Sequence, residues 1–537
     1  MTFKGTRCKS YGSNWYPTMM ECAPAGIGPH LSTSAPPAPN RQPLLRPTRD
    51  HTICVEVCSV DSGQILPFTI PHPENIWSSE HVKMPFSTYQ MQTMTTPGRH
   101  GQGREVPHWE VVKEMLNKPD FRTVRDLETA IMRYNPKYVG VWHFVGLHHF
   151  LNQMHGSEQQ YILGKLLPQM AQLALKLPTL CQKPIPLLRV GMNHAITMSQ
   201  EQIACLLANA FFCTFSHHFT TCHHSKYSSF PDINFNRLFE KASHRTSEKL
   251  KTIFCYFSTV VENMPKGLVT FQRCGLNKPI DWKRSQCKIT QLYITSEGTI
   301  EDEGRGLLQV DFASSLVGGG VLGQGLVQEE IRFLINTELI VTRLFTERLN
   351  ANECLVITGA QRYSDYTGYS DSYRWIRSHN DMTPRDSWLR RLTEIVAIDA
   401  TQFSNPNDQY RPHYLERELM KAYCGFSHRV IPENEHAAVA TGNWGCGAYK
   451  GDIKLKALIQ VMAASQARRD VVYFTFGSND SCEAIHKMHQ CLQKRNVTVG
   501  QIYNLLEKYS RTDFSKSRAQ NLYDFIQNNL DYLRGRF

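Results

Sequence analysis

Five glycines, Gly318, Gly319, Gly320, Gly323 and Gly325, fall within eight positions of this chain. So much bare backbone weakens any helix or strand drawn through it and sets a loop there. Val310-Asp311-Phe312-Ala313 lies just before the run, and after it Ile331, Leu334, Ile335 and Leu339 recur at helical spacing. The chain must therefore pass from a strand, through a loop of exposed amides, into a helix. Amides free of side chains close readily around an anion such as a phosphate. Glu329 and Glu330 stand at the start of the helix, at the edge of that cradle. A phosphate beside a carboxylate suggests chemistry on a nucleotide sugar. Each part also has a plainer reading: a Gly-rich run can be a turn, and the macrodipole favours glutamates at a helix N-terminus. Neither GxGxxG nor a Lys-Ser/Thr pair after the loop is present, which excludes the Rossmann and P-loop assignments.

The run from Gly318-Gly319-Gly320 to Gln328-Glu329-Glu330 resembles the signature of poly(ADP-ribose) glycohydrolases. The likeness continues in Pro186-Leu187-Leu188 with Asn193-His194, and in Ile196-Thr197-Met198-Ser199-Gln200-Glu201-Gln202-Ile203. Tyr363-Ser364-Asp365-Tyr366-Thr367-Gly368-Tyr369, Ala440-Thr441-Gly442-Asn443-Trp444-Gly445-Cys446-Gly447 and Tyr473-Phe474-Thr475-Phe476-Gly477 are similar to its later segments. It covers most of the chain from about residue 51 to the C-terminus.

A length of 537 residues suggests more than one domain, and 41% hydrophobic with 20% charged residues fits a globular protein. No run approaches the ~20 apolar residues of a membrane span. A net charge of +11 and a pI near 8.9 favour acidic partners without separating nucleic acid, acidic polymer and membrane surface. Sixteen cysteines form no regular framework, and no apolar leader core is visible, so the thiols read as reduced and intracellular. Cys213, His217, His218, Cys222, His223 and His224 have spacings that could hold zinc. The cluster lacks a Cys-x2-Cys pair and Cys213 ends an apolar run, which favours a His-rich surface loop. The resemblance implies neither metal nor cofactor.

Residues 1–50 hold eight of the 27 prolines and read as a disordered tail. Pro43-Leu44-Leu45-Arg46-Pro47 resembles a short region linked in some family members to mitochondrial targeting. From 51 to 285 the pattern is mainly helical, with a capping box of Ser199 and Gln202 opening an apolar helix. Thr93 to Pro107 reads as an exposed loop. From 286 to 537 strands alternate with helices, which predicts an α/β layer fold with a parallel or mixed sheet and binding loops beyond the strand ends. Expected strands are 289–295, 307–312, 354–358, 395–399, 437–440 and 471–476; expected helices are 328–348, 412–423, 452–468 and 481–494. The resemblance implies that this second half is a macrodomain, an ADP-ribose-binding fold, with the helical part packed on it.

Breaking a ribose–ribose acetal requires a proton for the leaving hydroxyl and deprotonation of a water. Consecutive helical residues point about 100° apart, so Glu329 and Glu330 cannot serve one atom equally. In glycohydrolases similar to this one the second glutamate does the acid/base work, a role that carries to Glu330. Glu329 is then implied to hold hydroxyls of the terminal ribose, and Asp311 to support the ribose and the glutamate pair. Ile300 and Glu301 match the adenine-edge pair, and Gln328 another ligand contact. Tyr369 matches the tyrosine that closes over the ligand, with Tyr366 nearby. Asn443, Trp444, Gly445, Cys446, Gly447 and Ala448 match a second Gly-rich loop that meets the diphosphate and distal ribose. Tyr449 stands where the family often has phenylalanine, and Phe476 matches an aromatic that stacks near ribose and adenine. Ser314 departs from the family's usual asparagine and reaches less far.

The expectation is an enzyme that shortens poly(ADP-ribose) on modified proteins, mainly from chain ends, and releases ADP-ribose. A non-catalytic reader of ADP-ribose is the rival; binding an anion would not favour two carboxylates at the phosphate site. Removal of the last protein-linked ADP-ribose is a third reading. The chain is expected to be a monomer in the nucleus or cytoplasm, with mitochondrial delivery as an alternative. Direct nucleic-acid readout and membrane association are not expected.

Overall fold

The computed structural model describes residues 45–537 apart from 61, 71–77, 88–89, 95–103, 118, 216–227, 428–435, 512–520 and 535–537. The tail to residue 44 and His217 to His224 of the Cys/His cluster lie outside the described residues. Cys213 itself is buried, and burial pushes its thiol up to about 12. Among the described residues no group of three or more His, Cys, Asp or Glu is placed to hold a metal ion. No described helix is long and apolar enough to cross a membrane.

Nine strands build one mixed sheet: β1 His51–Ile53, β2 His194–Ser199, β3 Leu268–Gly275, β4 Leu292–Thr295, β5 Leu308–Ala313, β6 Glu353–Thr358, β7 Glu394–Asp399, β8 Val439–Gly442 and β9 Val471–Phe474. Their spatial order is β1-β2-β3-β6-β7-β5-β8-β9-β4. The run β7-β5-β8-β9-β4 is parallel throughout, so the C-terminal ends of these five strands share one edge. β2, β3, β6 and β7 pair antiparallel, and β1 joins β2 in parallel.

All six expected strands form. Three more, β1, β2 and β3, come from the part expected to be mainly helical. Their short apolar runs are buried with little alternation, which periodicity alone cannot assign. A further difference lies in the expected loop from Thr93 to Pro107, where Arg104–Pro107 pairs antiparallel with Met91–Met94. The expected helix over 328–348 is divided: the α-helix ends at Ile335, Asn336 leaves helical geometry (φ −106°, ψ 66°), and a 3₁₀ segment spans Thr337–Leu344. Thr337 and Thr342 donate their hydroxyls to the carbonyls of Leu334 and Leu339, the local competition that disfavours a continuous helix.

Side-chain parity sorts the sheet into two faces. Leu308 and Val310 of β5, Val396 and Ile398 of β7, and Cys354 and Val356 of β6 pack with the helices Pro412–Ser427, Ile453–Gln466 and Asn479–Lys494. Ala313, Ile395, Ala397, Leu355 and Ile357 face the other layer, with the helices Gln200–Phe211, His244–Glu262 and Gln328–Ile335. Asp311 shares the parity of Ala313. A carboxylate in a central strand is thereby aimed at the helix that begins with Gln328-Glu329-Glu330.

Candidate active site

The helix Gln328–Ile335 is pinned to β5 by its first residue. Gln328 Oε1 accepts from the Phe312 amide at 2.7 Å and its Nε2 donates to the Val310 carbonyl at 3.2 Å. Gln328 thus holds the helix start against the strand that carries Asp311. Glu329 and Glu330 follow and are both buried.

The glycine loop folds back over these carboxylates. Glu329 accepts from the amides of Ser314 (2.8 Å) and Gly318 (2.6 Å); Glu330 accepts from those of Gly320 (2.8 Å) and Val327 (2.8 Å). The Val327 bond is half of a capping box, so the plainer reading of a helix-start glutamate is also realised. Each carboxylate oxygen accepts one backbone amide and has lone-pair capacity to spare.

In this structure the amides expected to cradle a phosphate have partners within the protein. The amides of Gly318 and Gly320 point at carboxylates, and that of Gly319 donates to the Leu316 carbonyl at 3.1 Å. The glycines are needed for close approach. A Cβ on Gly319 would meet Glu329 Oε2 and Glu330 Oε1, each at 2.6 Å, and one on Gly320 would meet the Gly325 backbone at 2.8 Å. Gly318 and Gly319 also have φ of +88° and +45°, where a Cβ is strained.

Beneath the pair, Asp311 is fully buried, and neither of its carboxylate oxygens accepts a hydrogen bond among the described residues. Burial first, and the Glu330 charge second, push it up to about 7 against the pull of the Arg332 guanidinium. Glu329 is raised well above the carboxylate range by burial and by Asp311 and Glu330, opposed by its two amide donors. Such carboxyl groups share protons as a set. Burial and mutual repulsion thus favour the protonated forms of Asp311 and Glu329.

Two buried cations hold the other side of the loop, and sequence reasoning missed both. Lys249 donates to the carbonyls of Gly320 (3.0 Å), Val321 (3.0 Å) and Gly323 (2.9 Å). Arg343 donates through Nη1 to the carbonyls of Val317 (3.2 Å) and Gly319 (3.0 Å), and through Nε to that of Asp232 (2.7 Å). Burial draws Lys249 down to about 7 and Arg343 down to about 10. A signal existed. Lys249 stands in helical phase with Ile253, Tyr256 and Val260, and Arg343 interrupts the apolar stretch Leu339-Ile340-Val341-Thr342-Arg343-Leu344-Phe345. A charge on a core-facing stripe asks for a polar partner.

The aromatic residues surround this centre. Tyr369 is 54% exposed, yet its phenol lies by the Gln328 amide and feels the Glu330 charge. Tyr366 donates to Glu301 and stacks on Tyr373 at 5.5 Å. The Tyr449 phenol is raised chiefly by burial and then by Glu329, with the Ser314 side chain as its hydrogen-bond partner. Ser314 Oγ also accepts from the Leu316 amide at 3.3 Å. Phe476, at φ +50° and 44% exposed, lays its ring against Gly442, where a Cβ would meet it at 2.6 Å.

Two expected site residues have side chains sunk in the core. Ile300 is fully buried against Ala440, Val472 and Phe474, and Trp444 is fully buried with its indole donating to the Ile398 carbonyl at 3.0 Å. Neither side chain can touch a ligand. Asn443 accepts from the Tyr473 hydroxyl at 3.1 Å, Gly445 has φ +73°, and Cys446 is partly buried. Gly447 and Ala448 are exposed, and a Cβ on Gly447 would meet nothing within 4 Å. With Asp311, Ser314, Glu329 and Glu330, these loops follow β4, β5, β8 and β9 on the shared strand-end edge, where open α/β sheets bind ligands.

Residues 279–483 match a family model described as poly(ADP-ribose) glycohydrolase, macro domain fold, and residues 154–273 match one described as the helical domain of the same family. Poly(ADP-ribose) glycohydrolase 1 of Arabidopsis thaliana is 31% identical over 460 residues, covering 69% of this chain and 82% of that protein. Poly(ADP-ribose) glycohydrolase 1 of Caenorhabditis elegans is 32% identical over 332 residues, 59% of this chain and 40% of that protein. The crystal structure of poly(ADP-ribose) glycohydrolase from Thermomonospora curvata aligns at 16% identity over 40% of this chain and 79% of that one, with a TM-score of 0.26. At that score its coordinates transfer no site geometry.

Proposed function

Because this chain belongs to the poly(ADP-ribose) glycohydrolase family, we propose that it hydrolyses ribose–ribose O-glycosidic bonds of poly(ADP-ribose), mainly from chain ends, releasing ADP-ribose. The observation that carries this reading is the glutamate pair at the strand-end edge, held by four backbone amides above the buried carboxyl of Asp311. A binding module for a diphosphate gains nothing from three carboxyl groups there, whereas cleavage of an acetal needs a proton donor that later acts as base.

Glu330 donates its proton to the leaving ribose oxygen and then takes one from the attacking water. Glu329 holds hydroxyls of the terminal ribose. Tyr369 covers the nucleotide, while Glu301 and Phe476 bound the adenine side. The exposed backbone of Gly447 and Ala448 meets the diphosphate.

The test is incubation with labelled poly(ADP-ribose) and, separately, with mono-ADP-ribosylated protein, for the wild type and Glu330→Gln. Release of ADP-ribose from polymer by the wild type and little by the variant supports the reading. Binding without release by both would make the chain a reader, and release from the mono-modified protein alone would make it a terminal-unit hydrolase.

A further inference from the structure

The peptide unit that joins Gly319 to Gly320 has Arg343 at its carbonyl end (3.0 Å) and Glu330 Oε1 at its N–H end (2.8 Å). The unit that joins Val317 to Gly318 has the same guanidinium nitrogen at its carbonyl (3.2 Å) and Glu329 Oε1 at its N–H (2.6 Å). A trans peptide is planar, with C=O and N–H pointing in opposite directions, so fixing one end fixes the aim of the other. One buried cation therefore sets the direction of two amides, each aimed at a different glutamate.

We infer that Arg343 is the positioning residue of both glutamates, acting through these two peptide planes, with Lys249 anchoring the following turn of the loop. This rests on the reading of Glu330 as the acid/base. An ammonium has three donors and no acceptor, and the three carbonyls of Gly320, Val321 and Gly323 use all of them. The Arg343 fork is also held from behind, by the Asp232 carbonyl at 2.7 Å, so it cannot follow the loop if the loop moves. The charge order is cation, carbonyl, amide, carboxylate. Each peptide dipole lies along the field between the two charges, which stiffens a segment whose five glycines would otherwise leave it the softest part of the site. Lys249 belongs to the helix His244–Glu262, inside the helical-domain match, so the helical part of the chain contributes to the geometry of the reaction centre.

Arg343→Lys keeps the charge but cannot reach two loop carbonyls and Asp232 together. It is expected to lower kcat by roughly 10²-fold, the scale of an ångström of misplacement, and to raise the Kd for ADP-ribose by a smaller factor because Glu329 is displaced as well. In a Glu330→Gln background the same substitution should cost clearly less than in the wild-type background, because there is no longer an acid/base to misplace and only the Glu329 contact is disturbed. A residue that only supported the fold would lower the melting temperature and reduce the rate by equal factors in both backgrounds. Lys249→Met is measured in parallel, so that poor folding of one variant leaves the other to decide. A folded Arg343→Lys or Lys249→Met with wild-type kcat, or equal losses in both backgrounds, overturns the inference. Wild-type turnover by Glu330→Gln would instead overturn the acid/base reading beneath it.

Discussion

The two glycine-rich segments look alike in sequence and are used in opposite ways. In Gly318–Gly325 the glycines bring backbone against side chains: amides meet Glu329 and Glu330, and carbonyls meet Arg343 and Lys249. In the segment after β8 a tryptophan is sunk into the core while Gly447 and Ala448 lie open to solvent. The first loop is spent on the protein's own carboxylates and cations. The other has backbone to offer a diphosphate. Glycine content alone reports that a chain approaches something closely, not whether that partner is a ligand or the protein itself.

The largest expected effect tests the first loop. Glu330→Gln should cut polymer turnover by about 10²–10⁴-fold, the usual worth of acid/base help, with ADP-ribose still bound in calorimetry. Because both Glu330 oxygens accept amides, glutamine keeps only one of those bonds, so a modest fall in melting temperature should accompany the loss. Next, Gly319→Ala places a methyl 2.6 Å from both carboxylates at a positive φ. Turnover should drop by roughly 10²-fold with ADP-ribose affinity much less changed. If affinity collapses instead and kcat survives, the first loop is the phosphate site after all.

Tyr369→Ala sharpens the comparison from the rim. Its half-exposed ring should contribute stacking of about 1–3 kcal/mol, so the Kd of ADP-ribose should rise about ten- to a hundredfold with the melting temperature unchanged. Early melting with normal binding would make it a packing residue. For the second loop, Gly447→Val has open space and no positive φ to strain. Its stability should match the wild type while ADP-ribose binding weakens by about tenfold, or ~1.4 kcal/mol. Unchanged affinity would remove the diphosphate from that loop.

The smallest effect is a pH dependence. Asp311 is raised in the folded state from 3.8 to about 7, so folding favours its protonated form. That contribution to stability is full below about pH 4 and is lost as pH rises towards 7. Asp311→Asn should therefore flatten the fall in melting temperature between about pH 4 and 7, by a few degrees at most. An unchanged slope would place the burden on Glu329 alone.

Much of the site could be read in the chain. The strand before the glycines, the helix after them and the glutamates Glu329 and Glu330 at its start are named by residue type and spacing, whereas Asp311, Tyr366, Tyr369, Tyr449 and Phe476 are named only through the family resemblance. Burial of Ile300 and Trp444 could not be read, because an apolar residue beside a glycine loop is equally at home in a core or over a ligand. β2 and β3 were hidden for a related reason, since a short apolar run buried on both faces has no period to display.

Sequence by itself determined where the chain must turn, which segments alternate, and which acids stand at the helix start, because side-chain sterics and spacing act over a few neighbouring residues. Only the tertiary structure decided which way the loop's peptides face. Peptide direction depends on charges brought in from afar, as with Lys249, which reaches Gly320 across 71 positions of chain. A buried cation needs acceptors and a buried carboxylate needs donors, and the loop between them satisfies both only in one orientation.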